Sequence, residues 1–315
     1  MVKLRFTLAV GVLSLVGLLS GWGDLDTDGA TSGGKKNGKG RAAAGIDLAL
    51  RRTQYELRTL ASHYPSIYLR FARRAHAAGP GKVLGPETEL VIEGFTRSAS
   101  TFAVVAFQLA QAQPVRVARH LHAPAHVIAA ARQGVPILVC VRAPQPTVLS
   151  QVIREPHVSL GQSLRSLARF YERIRPYRSR LVIATFEQVT TDFGEVINAI
   201  NARFGTGFSL FEHTQDNVRR CFELIEHRSR GGVLREILGD FQSGLVGIRD
   251  VFDALEAEAT HELTPLEERL VARPSRQRDF LKTELEQAYW SAPLQRHRAR
   301  AERAYSQFVH GSSPS

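Results

Sequence analysis

The stretch that decides the fold runs from Leu90 to Phe102 and reads Leu-Val-Ile-Glu-Gly-Phe-Thr-Arg-Ser-Ala-Ser-Thr-Phe. Its apolar start, Leu90–Ile92, is typical of a buried strand, and the apolar run Phe102–Leu109 that follows it is typical of a buried helix. A short polar loop lies between them. A strand, a loop and a helix in this order direct backbone N–H groups and the positive end of the helix dipole at one point. The stretch therefore predicts an anion-binding loop.

The loop differs from the nucleotide P-loop, G-x-x-x-x-G-K-[ST]. Gly94 fits the first glycine, but Ala99 stands at the second and Ser100 replaces the lysine, which disfavours an ordinary ATPase or GTPase. The loop carries one cation, Arg97. It also carries hydroxyl donors at Ser98, Ser100 and Thr101. This composition predicts a phosphate-like ligand, although an exposed turn with serine and threonine as plain helix caps remains the alternative.

A second segment supports the anion-binding interpretation. Pro136–Val141 is predicted to be another buried strand, and it ends at Arg142. Pro146 suits the first turn of a helix, so Ser150 follows about two turns into that helix. Ligands of open α/β sheets bind at the carboxyl ends of the strands. Arg142 and Ser150 are therefore expected on the same edge as the first loop, where both can bind one phosphate.

These segments resemble the signatures of sulfotransferases that use 3′-phosphoadenosine 5′-phosphosulfate (PAPS). Residues 96–102 match the family's first signature, except for Thr96 at its proline and Ala99 at its glycine. Arg142 and Ser150, eight positions apart, match its second signature. Residues 181–188 are similar to a third feature, a strand that ends in an aromatic residue. The resemblance covers about residues 88–210.

The resemblance implies a fold and a set of ligands. The fold is α/β, a P-loop-like sulfotransferase fold with a central parallel sheet and helices on both faces. PAPS is the implied co-substrate, with no metal. Arg97 and the residues Ser98, Ala99, Ser100 and Thr101 would hold the 5′-phosphosulfate. Arg142 and Ser150 would hold the 3′-phosphate, and Phe186 would lie near the adenine.

Sulfuryl transfer requires a base for the acceptor proton, and histidine suits this role. The short predicted strand Val115–Ala118 leads to His120 and His122, and the resemblance places the base near His120. Alternate residues of an extended segment point in opposite directions, so His122 is the competing candidate. Glu93 is a weaker alternative for the base.

Other kinds of site are disfavoured by the sequence. No G-x-S-x-G surrounds the serines, which disfavours a serine hydrolase. The two cysteines, Cys140 and Cys221, indicate neither a disulfide framework nor zinc binding.

Charge and the N-terminus suggest further partners. The net charge of +11 favours anionic ligands, and no nucleic-acid module is recognisable.

Lys3 and Arg5 precede the uncharged segment Phe6–Gly23, which predicts a signal-anchor or signal peptide within residues 1–23. A retained single-pass membrane anchor is favoured, with a secreted or cytoplasmic protein as the alternatives. The side of the membrane is left open.

The remaining chain is predicted in three parts. Residues 24–45 are glycine-rich and are expected to be a disordered linker, and residues 46–315 are expected to form one domain. That domain has an α/β core at 85–208 and a helical part at 209–315. A basic helix start at Ser275, Arg276 and Arg278 is either an ordinary surface helix or a further phosphate contact.

The expected function is transfer of a sulfuryl group from PAPS to a hydroxyl or amine of a glycan, a lipid or a small molecule. Two alternatives remain. One is a nucleotide or small-molecule kinase of related fold, which the missing lysine disfavours. The other is a non-catalytic relative that binds an anionic ligand.

Overall fold

The centre of the molecule is a sheet of four parallel strands in the order β2-β1-β3-β4. The computed structural model describes residues 38–75, 81–229, 232–257 and 276–311. The strands are β1 (Leu90–Gly94), β2 (Val117–Arg119), β3 (Ile137–Val141) and β4 (Val182–Thr185). The predicted α/β architecture with a parallel sheet is confirmed for these residues.

Helices connect the strands and continue after the sheet. They are α1 (Gly38–Ala61), α2 (Pro65–Ala75), α3 (Ser100–Ala110), α4 (Pro124–Gln133), α5 (Pro144–Arg154), α6 (Leu160–Ile174), α7 (Phe186–Thr191), α8 (Phe193–Phe204), α9 (Gln215–Ser229), α10 (Gly232–Ser243), α11 (Ile248–Ala257), α12 (Arg276–Tyr289) and α13 (Gln295–Val309). Short 3₁₀ helices precede β4 and α13.

Both faces of the sheet are buried. Alternate residues of β1 and β3 point to opposite faces, so their near-continuous apolar sequences supply two cores. Val91 and Val139 pack with α2, α4, α6 and α13. Ile92 and Leu138 pack with α3, α8, α9 and α10. The C-terminal helices thus divide between the two faces, with α13 packed along α6 and α9 packed on α3.

The helix α6 shows how periodicity and capping define an element. Its N-cap Ser159 and Gln162 form a reciprocal capping box. Leu164, Leu167 and Tyr171 recur at helical spacing and are fully buried. The Tyr171 ring stacks on Phe308 of α13 with a centroid distance of 5.3 Å. This helix therefore covers the core on one face of the sheet.

The N-terminal part departs from expectation at one boundary. The helix α1 begins at Gly38, so the last residues of the predicted 24–45 linker are helical. The run Ala42–Ala44 explains the difference, because alanine has the highest helix propensity.

Residues 1–37, with the predicted anchor, lie outside the described part of the chain, as does Ser275. Among the described helices, none is both long and apolar enough to cross a membrane.

At Gly94, β1 lies close to β3 and to the loop that follows β1. A Cβ atom at this position would overlap the carbonyl oxygen of Cys140 and the hydroxyl oxygen of Ser98. The first glycine of the loop is therefore required by packing, independently of any ligand.

We expect Gly94→Ala to lower the free energy of unfolding by about 1–3 kcal/mol, because β3 or the loop must move to admit the methyl group. Urea denaturation measures this. Gly207→Ala is the matched control, since a Cβ there meets no atom within 4 Å. Equal stability of the two variants would contradict the packing argument.

Candidate functional site

Three loops meet at the carboxyl edge of the sheet. They follow β1 (residues 95–99), β2 (residues 120–123) and β3 (residues 142–143). Because all strands are parallel, the loops that follow them lie at one edge, as predicted. We refer to residues 95–99 as the cradle loop and to residues 120–123 as the histidine loop.

The two arginines and the serine that the sequence singled out form one cluster. Arg97 Nε donates to Ser150 Oγ at 2.9 Å. Arg142 Nη1 donates to the carbonyl oxygen of Arg97 at 3.3 Å. Ser150 therefore contacts the cradle arginine directly, whereas the sequence had grouped it with Arg142. The loops after β1 and β3 are parts of one site.

Arg142 lies against the aromatic residue at the end of β4. Its guanidinium carbon is 4.0 Å from the ring centroid of Phe186, a cation–π distance. Phe186 begins α7, which is held by a capping box between Thr185 and Gln188. Burial lowers the pKa of the Arg142 guanidinium, and the carboxylate of Glu187 acts in the opposite direction. A partly desolvated cation gains more from an anionic ligand than a fully solvated one does.

The helix α3 begins without a side-chain cap. Its N-cap is Ala99, in the left-handed conformation at φ 69°, and alanine has no side chain that could accept from the first turn. Serine and threonine therefore do not cap this helix. The N–H groups of the first turn of α3 point towards the cradle loop, as they do at the N-terminus of any helix.

The predicted hydroxyl donors of the cradle loop differ in their surroundings. Ser98 is fully buried, and its hydroxyl donates to the carbonyl oxygen of Phe95 at 2.7 Å. Its side chain therefore holds the loop rather than facing a ligand. Ser100 and Thr101 are the first two residues of α3, Ser100 buried and Thr101 partly exposed.

Backbone strain is concentrated in these two loops. The non-glycine residues with positive φ among those described are Arg97, Ala99, His120 and His122, at 68°, 69°, 59° and 50°. Each costs about 1–2 kcal/mol relative to a right-handed conformation. Every one of them is a residue that the sequence had assigned to the site. Such strain clusters at functional sites, where the surrounding structure must hold it in place.

The two candidate bases lie side by side. The rings of His120 and His122 stack with a centroid distance of 5.8 Å and an interplanar angle of 15°. His122 Nδ1 is 2.9 Å from the carbonyl oxygen of Gly94. Since a carbonyl can only accept, Nδ1 carries a proton, and in the neutral ring Nε2 carries the lone pair. The His122 side chain is 26% exposed, so solvent reaches the ring.

A buried carboxylate lies under the histidine loop. Glu93, the fourth residue of β1, has no exposed surface. Its Oε1 accepts from Leu121 N at 2.8 Å and from His126 Nδ1 at 2.7 Å. Its Oε2 accepts from His122 N at 3.1 Å and from Gly94 N at 3.3 Å. With both oxygens occupied and no access to solvent, Glu93 is unsuited to be the base.

The hydrogen bonds determine the charge state of this carboxylate. Burial raises the pKa of Glu93, but the hydrogen bond from His126 and the other donors outweigh it and hold the pKa below its ordinary value. His126 is also fully buried, and its Nε2 accepts from Leu84 N at 3.0 Å. The His126 ring is therefore neutral, with its proton on Nδ1. Burial, and then the Glu93 charge, raises the pKa of the neighbouring Cys140 thiol.

Sequence reasoning did not find the role of Glu93 or of His126. Glu93 was considered only as a weak candidate for the base, and His126 was not considered. A charged residue inside an otherwise apolar strand was the available signal, because a buried carboxylate needs several donors. The spacing of residues along the chain does not show that His126 on α4 is a partner of Glu93.

A cavity of about 460 Å³ lies elsewhere, beside β4. Its lining is Arg178, Leu181, Ile183, Thr185, Gln188, Val309 and His310. Three of its polar side chains serve the fold, since Thr185 and Gln188 cap α7 and Arg178 donates to two carbonyls of α13. Groups of three or more metal-ligating side chains are absent from the described part of the chain. The carboxyl edge therefore remains the candidate site.

Comparison with protein-family models, curated proteins and solved structures finds no match for this chain. The site is therefore interpreted from its own geometry.

Ala99→Gly is expected to raise the free energy of unfolding by about 0.5–1 kcal/mol. Glycine relieves the left-handed strain, and the added freedom of the unfolded chain offsets part of this gain. Chemical denaturation measures the difference. The control is Ala49→Gly in α1, an exposed right-handed position where glycine costs about 1 kcal/mol. Destabilisation of the same sign in both variants would contradict the assigned strain.

Proposed function

We propose that this protein is a sulfotransferase that moves a sulfuryl group from PAPS to a hydroxyl or amine. The observation that carries the proposal is the meeting of the two signature segments. Arg97 and Ser150, 53 positions apart, are joined at 2.9 Å, and Arg142 bonds the backbone of Arg97. Segments that match one family in sequence thus form one cationic site at the sheet edge where ligands bind.

The proposal assigns each charged group of the donor to residues of the site. The uncapped N-terminus of α3 and Arg97 would bind the 5′-phosphosulfate, because both present N–H donors to an anion. Arg142 and Ser150 would bind the 3′-phosphate, and the Phe186 ring would stack on the adenine. Arg142 now lies 4.0 Å from that ring, so the nucleotide would share the ring with the guanidinium. This assignment corresponds to a P-loop-like sulfotransferase fold, which is part of the proposal.

The reaction is an in-line displacement at sulfur. A lone pair of the acceptor oxygen or nitrogen forms the new bond to sulfur, and the bond from sulfur to the 5′-phosphate oxygen breaks. The electron pair stays on that phosphate oxygen, where Arg97 and the α3 N–H groups stabilise the charge. The acceptor proton passes to a histidine. The products are the sulfated acceptor and 3′-phosphoadenosine 5′-phosphate.

His122 is the better supported base. Its Nδ1–H is held by the Gly94 carbonyl, which leaves Nε2 as the proton acceptor in a fixed ring. Gly94 also begins the connection to the cradle loop, so the base is tied to the donor site. His120 would support the ring of His122 by stacking.

The alternatives are weaker on specific grounds. A kinase would need a cation at position 100 to reach a γ-phosphate, and serine stands there. A non-catalytic anion binder would not need the oriented, partly exposed ring of His122. The acceptor remains a glycan, a lipid or a small molecule. The membrane segment within residues 1–23 remains a prediction.

We expect 3′-phosphoadenosine 5′-phosphate to bind more tightly than ATP in titration calorimetry. Arg142→Ala should weaken this binding about 10- to 100-fold, because a hydrogen bond to a charged group contributes about 1.5–3 kcal/mol. Arg132→Ala, at an exposed position of α4, is the control and should leave affinity unchanged. Tighter binding of ATP, or no effect of Arg142→Ala, would refute the donor assignment.

We also expect His122→Ala to lower kcat for sulfuryl transfer by about 10²–10⁴-fold, the usual contribution of general base catalysis. His120→Ala should lower it by less than about tenfold, since a lost ring contact is worth roughly 0.5–1.5 kcal/mol. Transfer of radiolabelled sulfate from PAPS to mixed glycan, lipid and phenol acceptors measures both. The reverse order of effects would assign the base to His120.

A further inference from the structure

We infer that Glu93 is a positioning residue: its buried carboxylate holds the histidine loop and thereby orients His122 as the base. This inference rests on the proposed function for its catalytic meaning. Its structural content is that Glu93 holds the loop in which His122 Nδ1 can donate to the Gly94 carbonyl, and this rests on the contacts alone.

The first observation is the connectivity of the carboxylate. Glu93 accepts from Gly94 N, from Leu121 N and His122 N, and from His126 Nδ1. These donors belong to the end of β1, to the histidine loop and to α4. One side chain therefore connects the strand that leads into the donor site with the loop that carries both candidate bases.

The second observation is the strained backbone that these bonds span. His120 and His122 both have positive φ, and the N–H groups of Leu121 and His122 converge on Glu93. Successive N–H groups beside left-handed residues form a small concave anion site. Here the anion is a side chain of the protein itself. Without an acceptor at this point, two buried N–H groups would lack partners and the loop would relax.

The third observation is the distance from this charge to the base. Glu93 Oε2 is 4.0 Å from His122 Nδ1. When His122 Nε2 takes the proton from the substrate hydroxyl or amine, the ring becomes an imidazolium. The negative charge of Glu93 then stabilises it, and its Nδ1 still donates to the Gly94 carbonyl. Among the described residues, the titratable groups that face Glu93 are His122, His126 and Cys140, and His120 lies beyond the His122 ring. His126 is held neutral by Leu84 N, so Glu93 retains its charge for His122.

The test is Glu93→Gln in the full-length protein. An amide directs its NH₂ group at one of the two donor pairs, so two of the four hydrogen bonds are lost. We expect kcat for sulfuryl transfer to fall at least about tenfold per folded molecule, with KM for PAPS changed less than about threefold. In ¹⁵N-resolved imidazole spectra, His122 should change from the Nδ1–H tautomer to a mixture. Unchanged kcat, or an unchanged His122 tautomer, would overturn the inference.

If Glu93→Gln does not fold, a pair of variants at His126 tests the positioning role of Glu93. His126→Asn keeps a donor near the position of Nδ1, whereas His126→Leu removes it. His126→Leu should give the larger loss of kcat and the larger change in the His122 signals, and equal behaviour would overturn the inference. Gln108→Met, which removes a buried amide bonded to Val115 and Gln242, is the control and should leave the His122 signals unchanged.

The two proposals fail in different ways. Absence of 3′-phosphoadenosine 5′-phosphate binding and of sulfuryl transfer in the unmodified protein would refute the proposed function. The imidazole spectra of Glu93→Gln and of the His126 pair need neither nucleotide nor acceptor. They therefore test the positioning role even in that event.

Discussion

The burial of the Glu93 charge is the constraint on which the site depends. A carboxylate removed from water is stable only where donors surround it, and here the donors come from three separate segments. Meeting that requirement fixes the end of β1, the histidine loop and the start of α4 relative to one another. The geometry of the site is thus a consequence of satisfying one buried charge.

The same constraint explains how strained backbone persists. Arg97, Ala99, His120 and His122 adopt left-handed conformations that none of them prefers. The Glu93 hydrogen bonds hold the histidine loop, and the close packing at Gly94 and the Ser98 hydroxyl hold the cradle loop. Strain of this kind persists where contacts over-determine the backbone, and here it occurs around the proposed reaction centre.

Local sequence patterns predicted the framework well. The apolar runs of β1 and β3 are visible without a structure, because strands buried on both faces read as continuous apolar segments. The edge placement of Arg97, Arg142 and Ser150 followed from parallel topology. The boundary at Gly38 was missed because glycine-rich composition outweighed the alanines that follow it. The pairing of Ser150 with Arg97 was also missed, since spacing along a chain does not specify which neighbour a hydroxyl meets.

The sequence by itself determined the parallel sheet and which cationic and basic residues stand at its carboxyl edge, because these depend on composition and local periodicity. The tertiary structure alone decided which histidine presents a fixed lone pair and why Glu93 is charged yet inaccessible. Those properties arise from hydrogen bonds between residues about 30 positions apart, Glu93 with Leu121, His122 and His126. A buried group has the chemistry that its partners impose, and the partners are known only once the chain has folded.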